Sequence, residues 1–266
     1  MKKRRRRVRK SVIFVIVVLL LIIALLISMI AKKVSDKEVS EPKQEKTTET
    51  KKENKKQQTN LPKVKKINQS GDPYENTVTV SDLDSIYILV NKYSGLPADY
   101  EPSDLVQVPS SGEMRMCACE MRKEAAEAFE KLIEAASNEG FILNACSAYR
   151  SYAYQTDLFN SGAASNGEEY ADRYWTRPGY SEHQSGLAVD IRMDNDCSDL
   201  DAVRYNSHYD WLLENMHMYG FILRYPDDKE DKTKIAPESW HLRYVGQDLA
   251  TYLYKNNLAL DEYYGA

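Results

Sequence analysis

Twenty consecutive uncharged residues, Val12 to Ala31, follow a stretch in which residues 2–10 hold eight Lys and Arg. At about 1.5 Å of rise per residue, a helix of that length matches the roughly 30 Å hydrocarbon core of a bilayer. A removable signal peptide would carry a shorter apolar region ending in a small-x-small site, and Met29-Ile30-Ala31 lacks the small residue two before Ala31. The expected layout is a cytoplasmic basic tail over 1–10 and a retained signal anchor over 11–31. The chain would cross the cell membrane once and leave everything after it extracytoplasmic.

Residues 32–70 hold twelve Lys, six acids and no aromatic residue. Such a segment buries too little apolar surface to offset the entropy of ordering, so it is expected to be a disordered Lys-rich linker. From residue 71 onward sixteen bases face thirty-four acids, a balance that excludes nucleic acid as an expected partner. The four cysteines, Cys117, Cys119, Cys146 and Cys197, all lie in this outer part, where disulfides are permitted but their pairing is not readable.

Within 71–266 the hydrophobic pattern gives short strands at Ile86–Val90, Phe141–Ala148, Leu187–Ile191, Phe221–Tyr225 and His241–Val245. Helices are expected over Met121–Ser137, Tyr152–Phe159, Tyr209–Tyr219 and Asp248–Asn256. Strands and helices alternate without βαβ regularity, so the fold class is α+β, a small antiparallel sheet flanked by helices.

Two of the four histidines stand in unusual company. His183 precedes by seven positions Asp190, a carboxylate set between Val189 and Ile191, costly there unless paired or metal-bound. His241 follows Glu238 by three positions at the start of another strand. Two His and one carboxylate leave a fourth zinc position open, the catalytic pattern, and a nearby Glu is placed to act as general base. His208 and His217 have no carboxylate at a telling distance and read as structural.

Taken together, Ser181 to Asp190 fits S-x-H-x-x-G-x-A-x-D, with Ser147-Ala148-Tyr149-Arg150-Ser151 upstream and Glu238-Ser239-Trp240-His241 downstream. Leu96-Pro97-Ala98-Asp99-Tyr100 and Tyr219-Gly220-Phe221 stand in the same order around them. This set resembles the VanY-type D-alanyl-D-alanine carboxypeptidases over nearly all of Ile86–Tyr264. The resemblance implies a hedgehog/D,D-peptidase-like zinc domain, with Zn2+ held by His183, Asp190 and His241. It implies Glu238 as the catalytic base and Arg150 facing the substrate, with Gln155 and Ser181 helping to hold the substrate's end. The implied substrates are peptidoglycan stem peptides that lose a terminal D-Ala.

An L,D-carboxypeptidase acting on tetrapeptide stems has the same signature, and a free-dipeptide hydrolase is a weaker option. A non-catalytic cell-wall-binding module is the alternative of a different class. One departure stands out: the family commonly has Glu-Pro-Trp-His, whereas Ser239 occupies the Pro position here. The Glu-to-His spacing is kept, and what is put in doubt is how firmly Glu238 is presented.

Overall fold

The computed structural model describes residues 61–108 and 119–266. The expected tail, the anchor over 11–31, the linker up to residue 60 and Cys117 lie outside the described residues. No helix among the described residues is long and apolar enough to cross a membrane.

One helix and one sheet build the core. The first helix, α1 (Lys123–Asn138), buries Ala125, Phe129, Leu132, Ile133 and Ala136, which recur at the three- and four-residue spacing of one helix face. It lies against a four-stranded antiparallel sheet made of β1 (Asn144–Ser147), β2 (Ala188–Arg192), β3 (Phe221–Tyr225) and β4 (Glu238–Tyr244), in the order β1-β2-β4-β3. Val189, Ile191, Leu242 and Phe221 share one cluster with the helix face, and Phe129 meets Phe221 edge to face with ring centroids 5.8 Å apart. Each such side chain contributes about 1.5–3 kcal/mol by leaving water.

Between β1 and β2 run α2 (Tyr152–Asn166) and α3 (Glu168–Tyr174). After β2 come a 3-10 turn over Leu200–Tyr205 and α4 (Tyr209–Asn215), which tightens to a further 3-10 turn over Met216–Tyr219. Gly220 then adopts a left-handed φ of 84°, and an added Cβ would stand 2.6 Å from the Tyr244 ring, so the reversal into β3 requires glycine. The chain closes with α5 (Gln247–Asn256) and α6 (Leu260–Tyr264). The observed class is the expected α+β.

Two expectations need correction. Ile86–Val90 is not a strand, although Ile88, Leu89 and Val90 are buried. The Arg243 guanidinium takes the place of a ladder, Nη2 donating to Ile86 O at 3.2 Å and to Ile88 O at 2.7 Å. Residues 61–70, counted by composition as disordered linker, are placed against the domain. Leu61, Val64 and Ile67 pack on the cluster of Val245, Leu249, Leu253 and Tyr264. Ile67 N donates to Tyr264 O at 3.0 Å, and Gln69 Nε2 to Asp261 O at 3.0 Å. Three apolar residues at spacing three, diluted among lysines, escape a compositional average.

Cys146 on β1 is joined to Cys197 across 51 positions, and Cys119 is also disulfide-bonded.

Candidate metal centre

β2 is the central carrier of the site. Its odd positions, Val189 and Ile191, face α1, so alternation sends Asp190 to the opposite face. The register places Asp190 opposite Ser147 on one side and His241 on the other. His183 arrives from a 3-10 turn over Glu182–Ser185 that ends at Gly186, whose φ of 68° is left-handed. An added Cβ there would meet Arg122 Cγ and Leu105 Cδ2 at 3.0 Å, which explains a glycine three residues after the histidine.

His183, Asp190 and His241 are all buried, and each offers one ligand atom within 4.8 Å of the others'. Asp190 Oδ1 lies 3.3 Å from His183 Nε2 and 3.3 Å from His241 Nδ1. That oxygen is buried without a hydrogen-bond donor among the described residues. The far side of each imidazole is set by a second contact. His183 Nδ1 is 2.6 Å from Ala148 O, and since a carbonyl only accepts, Nδ1 carries the proton and the Nε2 lone pair faces Asp190. His241 Nε2 faces Glu182 Oε2 at 3.5 Å, which leaves Nδ1 toward the cluster.

Glu182 was not singled out by sequence reasoning. Its signal was an acid directly before His183, and only the fold shows that it is buried. Oε1 accepts from Arg224 Nε at 2.7 Å and Arg243 Nη1 at 2.8 Å. Burial by itself would raise its carboxyl; the two guanidinium charges outweigh that and hold it well below the usual range. Arg224 also pairs with Asp261, whose Oδ1 accepts from Asn91 Nδ2 at 2.7 Å.

Glu238 Oε2 lies 3.4 Å from His241 Nδ1. Burial pushes its carboxyl above the ordinary value, with His241 opposing. Burial and the neighbouring Arg150 charge bring the His183 imidazole down to about 4, so it is neutral at pH 7. Arg150 follows β1, donates from Nε to Ser147 Oγ at 2.9 Å and pairs through Nη2 with Asp190 Oδ2. The guanidinium expected to face substrate thus also orients the carboxylate.

A cavity of about 290 Å³ opens on this cluster, and Arg150, Gln155, Ser181, His183, Asp190, Glu238 and His241 all line it. Gln155 is buried, donates from Nε2 to Thr176 O at 2.8 Å, and keeps Oε1 without a partner among the described residues. Tyr225 and Trp240, and Trp175, which no motif marked, complete the walls. His208 stacks on Phe141 and His217 on Tyr254, both away from this cavity.

The arrangement suits a borderline-soft divalent metal: two buried imidazole nitrogens turned toward one carboxylate oxygen that lacks a donor, and a second carboxylate beside them able to take a proton.

The family model described as "VanY: D-alanyl-D-alanine carboxypeptidase" matches residues 118–247. The putative carboxypeptidase YodJ of Bacillus subtilis is 43% identical over 189 residues, covering 70% of this chain and 69% of that protein. Among solved structures, the LdcB LD-carboxypeptidase is 38% identical with a TM-score of 0.64, over 75% of this chain and 93% of that one. A Glu-to-Ala mutant of the D,D-pentapeptidase VanY in complex with Zn(II) is 35% identical with a TM-score of 0.56, over 66% of this chain and 97% of that one.

Proposed function

The chain belongs to the VanY family of D-alanyl-D-alanine carboxypeptidases, and from that premise we propose that it is a zinc-dependent carboxypeptidase of peptidoglycan stem peptides. It removes the terminal D-Ala from stems ending in D-Ala-D-Ala. The observation that carries this reading is the convergence of His183 Nε2, Asp190 Oδ1 and His241 Nδ1 beside Glu238. When bound there, zinc supplies Lewis-acid chemistry, polarising the scissile carbonyl and making water acidic enough to be activated near neutral pH.

The protein's own groups do the rest. Glu238, raised in pKa by burial, takes the proton of the attacking water and delivers it to the leaving D-alanine nitrogen. Ala148 O fixes the His183 tautomer, and the Glu182 carboxylate faces the far side of the His241 ring. Arg150, tied to Ser147 and Asp190, presents its remaining donors to developing negative charge or to a terminal carboxylate. Gln155 and Ser181 lie on the cavity wall where the substrate's end would be held.

The likeness to the LdcB LD-carboxypeptidase favours one second reading, removal of the D-Ala that follows the diamino acid of a tetrapeptide stem. Mass spectrometry of pentapeptide and tetrapeptide stems, incubated side by side with the zinc-loaded protein, separates the two. Loss of one alanine from the pentapeptide alone supports the D,D reading, and loss from the tetrapeptide supports the L,D one. Zinc binding with no alanine released from either would contradict both readings and favour wall binding.

We further propose that residues 11–31 anchor the protein in the cell membrane, with the catalytic domain outside. Support comes from the uncharged run after the basic cluster. Protease added to intact protoplasts should degrade the catalytic domain and spare the first ten residues; a protected domain would overturn the topology.

A further inference from the structure

Ser239 is the residue that departs from the family's usual proline, and its surroundings give it a task. Glu238 and Trp240, on either side of it, both line the cavity, whereas Ser239 does not. β4 pairs with β2 only as far as His241. On the other edge the register runs from Leu223↔Leu242 to Tyr225↔Glu238, so Arg224 alone stands opposite Ser239, Trp240 and His241. Ser239 and Trp240 therefore have no registered partner on either strand. The backbone that carries Glu238 is not held by the ladder at its next two positions.

Side-chain bonds hold it instead. Ser239 is buried, and its Oγ donates to Asp201 Oδ1 at 2.8 Å. The same Asp201 oxygen accepts from Arg204 Nε at 2.7 Å, and Arg204 Nη1 reaches Asp227 Oδ2, just past β3, at 3.5 Å. The Tyr209 hydroxyl donates to Ser239 O at 2.9 Å. Asp201 belongs to the 3-10 turn Leu200–Tyr205, whose Leu200 lines the cavity and which begins three residues after Cys197, the partner of Cys146 on β1. This turn thus bridges the two edges of the site, by a disulfide at one end and by Ser239 at the other.

We propose that Ser239 and Asp201 form a positioning pair that fixes Glu238 over the metal centre, doing by hydrogen bonds what a proline does at this position by locking φ. The pair touches neither substrate nor metal and acts through Glu238. The inference rests on Glu238 being the base. A general base displaced by about 1 Å loses on the order of 10²-fold in rate, so a partial loosening should cost roughly tenfold.

The test uses the full-length chain and measures kcat, KM for the pentapeptide stem and zinc affinity. Ser239→Ala and Asp201→Ala should each lower kcat about tenfold while KM and zinc affinity stay within about twofold. The double variant should lose no more than either single, as expected for one shared interaction. Asp201→Asn, which keeps an oxygen acceptor for the Ser239 hydroxyl, should remain within about twofold of wild type. Unchanged kcat in both alanine variants overturns the proposal, as does a loss that appears equally in zinc affinity and in thermal stability. Glu238→Gln serves as the reference. If it is as active as wild type, the base assignment itself is wrong and the positioning role goes with it. If it is inactive while Ser239→Ala and Asp201→Ala are unimpaired, only the positioning role fails.

Discussion

Glu238 Oε2 lies 3.4 Å from His241 Nδ1 although the two residues stand three positions apart on one strand. A regular strand would send them to opposite faces, since side chains alternate. The register breaks opposite Arg224, where one residue faces three and regular alternation is interrupted, and both side chains line the same cavity. The approach of Glu238 to the His241 ring therefore coincides with a break in the ladder.

The first prediction follows from that geometry. Glu238→Gln keeps the shape of the cavity but removes the proton acceptor. It should lower kcat by about 10²–10⁴ while zinc binding is retained. Zinc stoichiometry by metal analysis and turnover on the pentapeptide stem check it together; loss of metal along with activity would make Glu238 a ligand instead.

Glu182 is predicted to matter twice over. Its Oε1 neutralises the buried Arg224 and Arg243, and its Oε2 faces His241. Glu182→Ala takes the carboxylate from the buried Arg243 and leaves Arg224 with Asp261 alone, and should destabilise the domain by about 3–5 kcal/mol in urea unfolding. Glu182→Gln, which can still accept hydrogen bonds, should fold but bind zinc about 10–100-fold more weakly, read by chelator competition. Wild-type zinc affinity in that variant would remove Glu182 from the account of the site.

This also shows where the sequence was legible and where it was not. His183, Asp190, His241 and Glu238 could be picked out because each is a costly residue type in an apolar or motif-like setting. Glu182 could not, because a lone acid beside a histidine is usually solvated, and its burial depends on Arg224 and Arg243 arriving from two other strands. Helix α1 and strands β2 and β3 were readable from periodicity. Ile86–Val90 misled for a tertiary reason, its carbonyls being satisfied by Arg243 rather than by a neighbouring strand. The start of β4 was set three residues late because Glu238 and Ser239 look like loop residues when their bonds to the rest of the fold are unknown.

A pH dependence attaches to Asp172, which accepts from the buried Lys92 at 2.8 Å and from Arg177 at 3.1 Å. Burial opposes its ionisation, but hydrogen bonds from Lys92 and Arg177 prevail and its carboxyl is held below the ordinary 3.8. A depressed folded value means stability that is present above the unfolded pKa and lost as pH falls through the folded one. Asp172→Asn should therefore cost about 2–3 kcal/mol at pH 7, less than for a fully buried pair because this one is partly exposed. The gap to wild type should shrink as pH falls below about 4, where Asp172 of the unfolded chain takes up its proton before the native one does. Urea titrations of both proteins at pH 7 and pH 3 test this, and a gap that is the same at both values would contradict it.

The Cys146–Cys197 bond closes a loop of 51 positions around β2, α2 and α3. Replacing both cysteines by serine should lower stability by about 2–4 kcal/mol, through the larger freedom of the unfolded chain. Denaturant midpoints for the two proteins measure it, and an unchanged midpoint would mean that the folded loop is held entirely by other contacts.

The most direct measurement is zinc titration of the metal-stripped full-length chain with D-alanine release from a pentapeptide stem as readout. Release should be absent without metal and rise linearly to a plateau at one zinc per chain, with the Asp190→Ala protein silent throughout. Undiminished release from the metal-free chain, or a plateau unaffected by losing Asp190, would contradict a catalytic centre built on His183, Asp190 and His241.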